Sequence, residues 1–402
     1  MSAVNSVFSA GQASAEARRQ RRIEAFHPSY RRFVKDLSNC STEIEDLADT
    51  FPALLFALST GYGCAAQRDH SFALISQGAG LRRAAAALGL PWWLRKLPAQ
   101  AFTEPLPSFP AEADYGLRIS SLIPSAPAAT ATWLKRVAHA QAGAGTDYAL
   151  WMARQAERSS WPEAECDLMA AWAWYSQQPG LLGHRLLRRP WAAEISIKRA
   201  REEAAAWRQR LRLSEYLGTG IETPWLADGT VGGFRFVALR TVDDFINESV
   251  ALDNCLDQYA DHLEAGLSAI YAIRKGERHV ACVEIGLHGE EVSMPTIVQL
   301  RAARNRRAAP EVWQATFAWL GSQRLEPLSP ERHAPKPLQR LAARRQLWEP
   351  YLAYLESKGR AQRFRRQVLE QLASRRLRRA RRQTVRVARR PNGDAARQDK
   401  GD

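Results

Sequence analysis

The residues most able to do chemistry in this chain are polar side chains set into two apolar, strand-like segments. Glu284 interrupts one apolar run, and Gln299 and Arg301 lie two residues apart in the next. Because side chains alternate between the two faces of a strand, Gln299 and Arg301 are predicted to share a face, with Ile297 beside them. A carboxylate within an apolar strand requires a cation, a hydrogen-bond donor or water. Glu284 is therefore predicted to face a partner on a neighbouring strand.

Two interpretations fit this group of residues. As a pocket for an anion or a nucleotide, it would use Glu284 as a catalytic acid or base. Arg274 and Arg301 would bind phosphate, because a guanidinium donates two parallel hydrogen bonds to an anion. Gln299 and Asn305 would orient the ligand. As a structural feature, the same group would be an ion pair of Glu284 with Arg274 or Arg301 that fixes the strand register, or a solvated outer face.

A cysteine and a tyrosine in the preceding segment are further candidates. Thr241 and the acids that follow it predict a helix start, and Gly266 predicts the end, so one helix is expected over residues 243–264. On such a helix Cys255 and Tyr259 share a face with leucines, which favours a buried thiol. The alternatives are a nucleophilic Cys255, for which no neighbouring base is evident, and a ligand-binding Tyr259.

The segments around these residues predict an antiparallel sheet, because the joins between them are short and polar. Three strands with these short joins are expected over residues 268–274, 279–287 and 292–301, and a further strand over 234–239 precedes the helix. A helix from residue 310 to about 320 is expected to cover one face of the sheet. Its inner side is predicted to carry Val312, Trp313, Phe317 and Leu320. Residues 225–325 are therefore predicted to form a small α+β domain.

Four blocks of residues within 225–320 carry a family resemblance. They are Leu252-Asp-Asn-Cys255-x-x-x-Tyr259, Gly266-x-x-x-Ile270-x-x-Ile273-Arg274, Val283-Glu284-Ile285 and Val298-Gln299-x-Arg301-x-x-x-Asn305. In this order and spacing they resemble the PcfJ-like family. The resemblance implies a helical region before the domain and a context of conjugative plasmids and other mobile DNA, without a reaction. The chain departs from the family pattern at Asn254, where His is usual, and at Ala302, where Gly is usual.

The chain before residue 225 has helical periodicity, which predicts helical regions over 1–97 and 129–224. Between them, residues 98–128 are crowded with prolines and are predicted to be a connector without regular helix or central strand. The second helical region contains seven tryptophans. They are Trp133, Trp151, Trp161, Trp172, Trp174, Trp191 and Trp207. Tryptophan at helical spacing favours core packing, with base stacking as the alternative.

The last forty-five residues, 358–402, carry sixteen Lys and Arg against four acids, a net +12 of the +15 of the whole chain. Phosphate is the expected target of such a segment, since arginine displaces condensed counterions from nucleic acid. The alternative is a solvated tail without a partner. The nucleic-acid-binding residues are predicted to be Arg375, Arg376, Arg378, Arg379, Arg381, Arg382, Arg389 and Arg390.

The predicted fold class is thus α+β. A mostly helical N-terminal region precedes the antiparallel-sheet domain with its flanking helices, and residues 326–402 form basic C-terminal helices and a helical or disordered arm. The N-terminus lacks an apolar signal segment, and no apolar run is long enough to cross a bilayer, so a cytoplasmic protein without membrane insertion is expected. Five cysteines without Cys-x-x-Cys spacing predict neither a disulfide framework nor a metal site, and no cofactor is expected.

Three hypotheses of function follow. The first is a nucleic-acid-associated accessory protein of a mobile element, which binds through the basic arm and has a possible protein partner. The second is an enzyme that acts on a nucleotide or nucleic acid through the Glu284 pocket. The third is a scaffold whose helical body binds another protein.

Overall fold

The structure of the protein is a computed structural model that describes residues 16–155, 162–266, 268–288, 294–324 and 334–358. Two compact units divide the chain. Unit 1 comprises residues 1–174 and 191–200, and unit 2 comprises residues 175–190 and 201–402. Helices together with one antiparallel sheet confirm the predicted α+β class. The arginines predicted to bind nucleic acid, Arg375 to Arg390, lie outside the described residues.

Short helices build the first part of unit 1. They are α1 (16–24), α2 (Arg31–Ser38), α3 (Thr42–Glu45), α4 (Leu47–Thr50), α5 (Pro52–Ser59), α6 (Ala65–Ser76) and α7 (Leu81–Leu88). The apolar stripe from Ile44 to Leu58 is buried, yet it spans three helices, α3 to α5. Pro52 occupies the first turn of α5, where its missing N–H leaves no hydrogen bond unmade.

The proline-rich connector contains regular helix, so that part of the prediction was wrong. Helix α8 (Ala113–Ser120) lies between Pro110 and Pro124, and the next helix, α9 (Pro127–Ala144), begins on a proline. Proline forbids a helix interior but is suited to the first turn, so closely spaced prolines delimit helices as well as loops. Within the connector Phe109, Tyr115 and Ile119 are buried, whereas Leu117 is 72% exposed.

Five of the six described tryptophans of this set are buried in the core, which confirms the packing interpretation for them, and Trp191 is partly buried. Trp133 of α9 donates its indole N–H to the Ala153 carbonyl at 3.1 Å, in α10 (Thr146–Gln155). Trp151 of α10 donates to the Ile195 carbonyl at 2.9 Å. Both side chains are buried, so their rings fill the core while the one polar atom keeps an acceptor. Trp161 lies outside the described residues.

Three further helices carry the chain to the sheet domain. They are α11 (Glu163–Ser176), α12 (Leu182–Arg185) and α13 (Ile197–Leu217). In unit 2, Trp207 of α13 is buried and donates its indole N–H to the Gly183 carbonyl of α12 at 2.8 Å. This hydrogen bond fixes α13 to α12 within unit 2.

The sheet of unit 2 has five antiparallel strands in the order of the chain. They are β1 (Gly229–Val231), β2 (Phe234–Ala238), β3 (Ser268–Lys275), β4 (Arg278–His288) and β5 (Met294–Ala302). The four predicted strands are confirmed, and β1 was missed. Gly232 and Gly233, both with positive φ, turn β1 into β2 in the way that two-residue hairpins require. Three residues of β1 are too few for an alternating pattern to be visible in the sequence.

Apolar residues cover both faces of this sheet. On one face Phe236, Tyr271 and Val283 pack against α16 (Pro310–Ser322) through its Trp319. The inner side of α16 differs from the prediction, because Val312 and Trp319 are buried while Phe317 is 60% exposed. On the opposite face, called the α14 face below, Ile270, Ala272 and Cys282 pack against α13 and the two helices that follow β2.

Those two helices are α14 (Val242–Leu252) and α15 (Ala260–Glu264), and they replace the single predicted helix over 243–264. The start is confirmed, because Thr241 and Asp244 form a capping box, and Gly266 with positive φ closes α15. The continuity was wrong. Asp253 adopts the left-handed conformation at φ 48°, and a 3-10 turn over Leu256–Gln258 separates the helices. Hence Cys255 and Tyr259 do not lie on one helical face.

A C-terminal helix, α17 (Pro337–Ser357), is the last described element. Its buried residues are Ala343, Leu347, Tyr351 and Leu355, which recur at intervals of four residues as in one face of a helix. Within the described residues, no helix is both long enough and apolar enough to span a bilayer.

Candidate functional site

A cavity of about 340 Å³ lies on the α14 face of the sheet, at β4 and β5. The segment between α14 and α15 contributes to its wall. The cavity is lined by Asn254, Cys255, Leu256, Tyr259, Ile270, Cys282, Glu284, Gln299, Arg301 and Asn305. Six of the seven residues proposed from the sequence for catalysis or ligand binding are therefore brought together, and Arg274 is not among them.

Glu284 is the centre of a hydrogen-bond network at this cavity. Its Oε2 accepts from the Tyr259 hydroxyl at 3.1 Å and from Gln299 Nε2 at 2.6 Å, and its Oε1 accepts from the Ser268 hydroxyl. Gln299 Nε2 also donates to the Tyr259 oxygen. The carboxylate is buried and satisfied by three uncharged donors. The predicted ion pair of Glu284 with Arg274 or Arg301 was thus wrong.

The register of the strands explains this arrangement. Glu284 is paired with Gln299 across β4 and β5, and Cys282 with Arg301. A bulge shifts the register between Glu284 and Ile285, so that Ile285 faces Ile297. Ile297 therefore packs into the core on the opposite side of the sheet, not beside Gln299 as predicted, while Val298 is 57% exposed. An extra residue of this kind cannot be read from strict alternation.

Arg274 belongs to a separate cluster on the same face. Its guanidinium lies 3.3 Å from Oε2 of Glu248, a residue of α14 with no exposed surface, and His279 Nδ1 lies 2.7 Å from the same oxygen. The Cys282 thiol donates to Glu248 Oε1 at 3.7 Å. Burial raises the pKa of the Cys282 thiol well above its ordinary value, and the charge of Glu248 adds to the effect. This thiol is therefore protonated and unreactive near neutral pH.

Tyr259 keeps its proton for a related reason. Burial raises the pKa of its phenol above the ordinary value, and the negative charge of Glu284 raises it further. The hydroxyl thus remains a donor to Glu284 at physiological pH. This fixed phenol and the Gln299 amide form one rigid wall of the cavity.

Cys255 is exposed, which corrects the predicted burial. It lies between the end of α14 and the 3-10 turn. The next residue, Leu256, is the one whose side chain is buried. Asn254 stands where the family pattern has His, and its Oδ1 accepts the Leu256 backbone N–H at 3.1 Å. Its remaining amide N–H groups are donors at the cavity wall. Ala302 has φ −86° and ψ −173°, extended backbone that Ala adopts as readily as Gly.

Two salt bridges hold the segment of Cys255 and Tyr259 against α13. Arg210 Nε lies 2.7 Å from Asp257 Oδ2, and the two side chains are only 6% and 8% exposed. Arg212 pairs with Asp261, which is 61% exposed. Sequence reasoning missed these residues and also Ser268, because nothing in their spacing relates α13 to a turn nearly fifty residues later.

Cations gather at the end of the sheet nearest Arg301. Strand pairing places the start of β2, the β3–β4 turn and the end of β5 together, since Arg235 is paired with Arg274, Lys275 with Arg278, and Arg301 with Arg307. Seven exposed cations form this surface, called the basic end below: Arg235, Lys275, Arg278, Arg301, Arg304, Arg306 and Arg307. Arg301 belongs both to the basic end and to the cavity.

The turn after β5 shapes the mouth of the cavity. Arg304 and Asn305 both have φ 56°, the left-handed region that non-glycine residues rarely adopt. Arg304 Nε donates to Asp253 Oδ2 at 3.2 Å, so the two left-handed residues at the ends of α14 and β5 are tied to each other. Strained backbone of this sort concentrates at functional sites.

Comparison with protein-family models, with curated proteins and with solved structures finds no match for this chain. The resemblance to the PcfJ-like family therefore stays a prediction from the residues quoted above. The cavity and the basic end have to be interpreted from their own chemistry.

A further cavity is much smaller than the one beside Glu284, and the described residues contain no group suited to a metal ion. This second cavity, of about 30 Å³, lies near Leu263 and Tyr271 and has room for about one water molecule. Among the described residues no group of three or more His, Cys, Asp and Glu is placed to hold a metal ion. None of the five cysteines, all of them among the described residues, forms a disulfide.

The native protein should show two classes of cysteine. Cys255, Cys40 and Cys64 are exposed and should react with iodoacetamide within minutes to hours near pH 8, whereas Cys166 and Cys282 are buried and should need unfolding. Peptide mass spectrometry on a time course would measure each rate. Protection of Cys255 equal to that of Cys282 would contradict the described position of the α14–α15 segment.

Proposed function

We propose that this protein is a nucleic-acid-associated protein that binds the phosphate backbone through the basic end of its sheet domain. The observation that carries the proposal is the convergence of seven exposed Lys and Arg on one end of the sheet. Four exposed acids lie between Arg235 and Arg307 in the described part of the chain. Asp243, Asp253 and Asp261 pair with Arg185, Arg304 and Arg212, and Glu277 lies in the β3–β4 turn.

The chemistry of the basic end suits a polyanion. Arginine donates several hydrogen bonds from one planar group and remains charged at any physiological pH. Cations spaced along one end of the sheet neutralise successive phosphates and release counterions, which gives affinity without sequence preference. The C-terminal arm would add further contacts of the same kind. The resemblance to the PcfJ-like family supports an accessory role on a mobile element, with a protein partner of that element.

The geometry supports binding more than catalysis at Glu284. A catalytic acid or base needs a carboxylate oxygen directed at the substrate. Both oxygens of Glu284 instead accept hydrogen bonds from Tyr259, Gln299 and Ser268. Glu284 thus acts as an orienting group, and Cys255, the other catalytic candidate, has no base among its described hydrogen-bond partners. No observation in the described residues favours the scaffold hypothesis.

Replacing Arg278, Arg306 and Arg307 together with Ala tests the proposal. The affinity for a mixed-sequence DNA strand should fall at least about tenfold near 50 mM salt, because three phosphate contacts are lost. The slope of log Kd against log salt concentration should flatten by up to about 3 for the same reason. Fluorescence anisotropy at several salt concentrations measures both quantities.

The matched control replaces three exposed cations of unit 1, Lys35, Arg82 and Arg83, with Ala. It removes the same net charge and should leave both the affinity and the slope close to those of the unchanged protein. Equal losses in the two triple variants would mean that net charge, and not the basic end, determines binding. The proposal would then be abandoned.

A further inference from the structure

We propose that the cavity beside Glu284 binds one nucleotide unit of a nucleic acid, with its base inside and its phosphate at Arg301. The inference rests on the proposed function, because the strand that supplies the nucleotide would lie along the basic end. It adds a specific site and a ligand class to a surface that otherwise recognises only charge.

The size of the cavity suits a single small ligand. Its volume of about 340 Å³ falls at the lower end of the range of roughly 300–1,000 Å³ typical of small-molecule sites. An apolar part of the lining is formed by Leu256, Ile270 and Cys282, all buried. A flat heteroaromatic ring can cover such a surface while its edges remain available for hydrogen bonds.

The polar lining offers both an acceptor and donors to the edges of that ring. The Gln299 amide uses its Nε2 for Glu284 and Tyr259, which leaves Oε1 as the acceptor that it can present to a ligand. In the Asn254 amide it is the oxygen that is occupied, because Oδ1 accepts a backbone N–H. Its Nδ2 stays available as a donor to a ligand. Bases are recognised through this combination of edges.

Glu284 gives this arrangement its rigidity. A Gln side chain alone could rotate and offer either its nitrogen or its oxygen to the cavity. Because the buried carboxylate accepts from Nε2 at 2.6 Å, only one orientation keeps that hydrogen bond. The burial of Glu284 is thus explained as a positioning role, since the acid fixes which edge of Gln299 meets the ligand.

The phosphate would meet Arg301 at the mouth of the cavity. Arg301 is exposed, and its guanidinium forms no ion pair with any residue that the structure describes. It stands two residues from Gln299 on the same face of β5, so one nucleotide can reach both. Arg304, Arg306 and Arg307 then continue the line of cations for the flanking phosphates.

Protection of Cys255 tests the inference in the full-length protein. The thiol lines the cavity and is exposed, so a bound nucleotide should cover it. With each of the four deoxynucleoside 5′-monophosphates at about ten times its dissociation constant, the rate of alkylation of Cys255 should fall roughly tenfold, since only the empty cavity reacts. Cys40 and Cys64, exposed in unit 1, are internal controls whose rates should not change.

Two further arms separate the sources of protection. Inorganic phosphate and the nucleoside alone should each protect much less than the nucleotide, because each occupies half of the site. Arg301→Ala should weaken protection by the nucleotide at least about fivefold, the loss of one charge-assisted hydrogen bond. Arg82→Ala, in unit 1, should leave protection unchanged.

The inference is overturned if nucleotides up to about 10 mM, well above a millimolar dissociation constant, leave the Cys255 rate unchanged. It is also overturned if inorganic phosphate protects as well as the nucleotide, which would indicate an anion site only. Failure of the proposed function can be told apart from failure of this inference, because it would appear as absent oligonucleotide binding at the basic end and not in the alkylation rate of Cys255.

Discussion

Asp257→Ala is expected to lower the free energy of unfolding of unit 2 by about 3–5 kcal/mol, because it leaves the guanidinium of Arg210 buried without a counterion. The Nε to Oδ2 distance in the unchanged pair is 2.7 Å, and both side chains are almost fully buried. Native-state hydrogen exchange, read peptide by peptide over α13 and residues 253–264, would measure the loss where it arises.

Asp261→Ala is the matched control for this prediction. It removes the same residue type from the same segment, and its partner Arg212 also belongs to α13, but Asp261 is 61% exposed. Arg212 is 14% exposed, but the Asp261 carboxylate keeps most of its contact with water, and a pair screened in this way contributes about 0–1 kcal/mol, so the expected loss is smaller than for Asp257→Ala. The double variant Arg210→Met, Asp257→Leu should recover most of the stability, since a buried pair can be replaced by apolar packing. Equal losses in both single variants would refute the argument from burial.

Local signals in the sequence predicted four of the five strands of the sheet domain and both ends of the helical segment between β2 and β3. The cap at Thr241, the end at Gly266 and the short turn at Gly276 each depend on residues close together in the chain, and each is confirmed. The antiparallel pairing of β3 with β4 and of β4 with β5 followed from the short, polar joins in the sequence, whereas β2 is joined to β3 through α14 and α15, and its place in the sheet was not predicted. The alternation along β4 also placed Cys282 and Glu284 on the face opposite Val283 correctly.

The errors have a common physical cause, which is that tertiary partners overrode local patterns. Helical periodicity continued past Leu252, but the pairing of Arg210 with Asp257 and the burial of Leu256 stabilise a break there. Arg274 lies on the strand next to that of Glu284, but it is paired with His279, five residues from Glu284, and its guanidinium pairs with Glu248 of α14. A hydrophobic pattern records which face is buried and not which element covers that face.

The basic end also depends on tertiary pairing that the sequence pattern does not record. Arg304, Arg306 and Arg307 are neighbours in the chain and visible as a patch, whereas Arg235 joins them only through the pairing of β2 with β3. A net charge of +3 over the first 357 residues, from 41 basic and 38 acidic residues, conceals this asymmetry. Charge on a folded surface therefore has to be counted after the strand register is known.

Deleting residues 375–402 is expected to weaken binding of DNA about a hundredfold or more near 50 mM salt. The segment carries eleven Lys and Arg against three acids. If six or more of these cations contact phosphates, the affinity of the intact protein should also fall about 10³-fold or more between about 50 and 200 mM salt. The truncated protein should show a much flatter dependence, because fewer counterions are released when it binds.

Combining the deletion with the triple Ala variant of the basic end separates the contribution of the arm to affinity from that of the basic end. If the arm and the basic end contact separate phosphates of one strand, their effects on the logarithm of the affinity should add when the two changes are combined. The melting temperature of the truncated protein should match that of the intact chain, since the deletion begins beyond α17. Equal affinity of the intact and truncated proteins at low and high salt would mean that the arm does not contribute to DNA binding. Loss of all binding in the truncated protein would instead assign the affinity to the arm and reduce the basic end to a solvated surface.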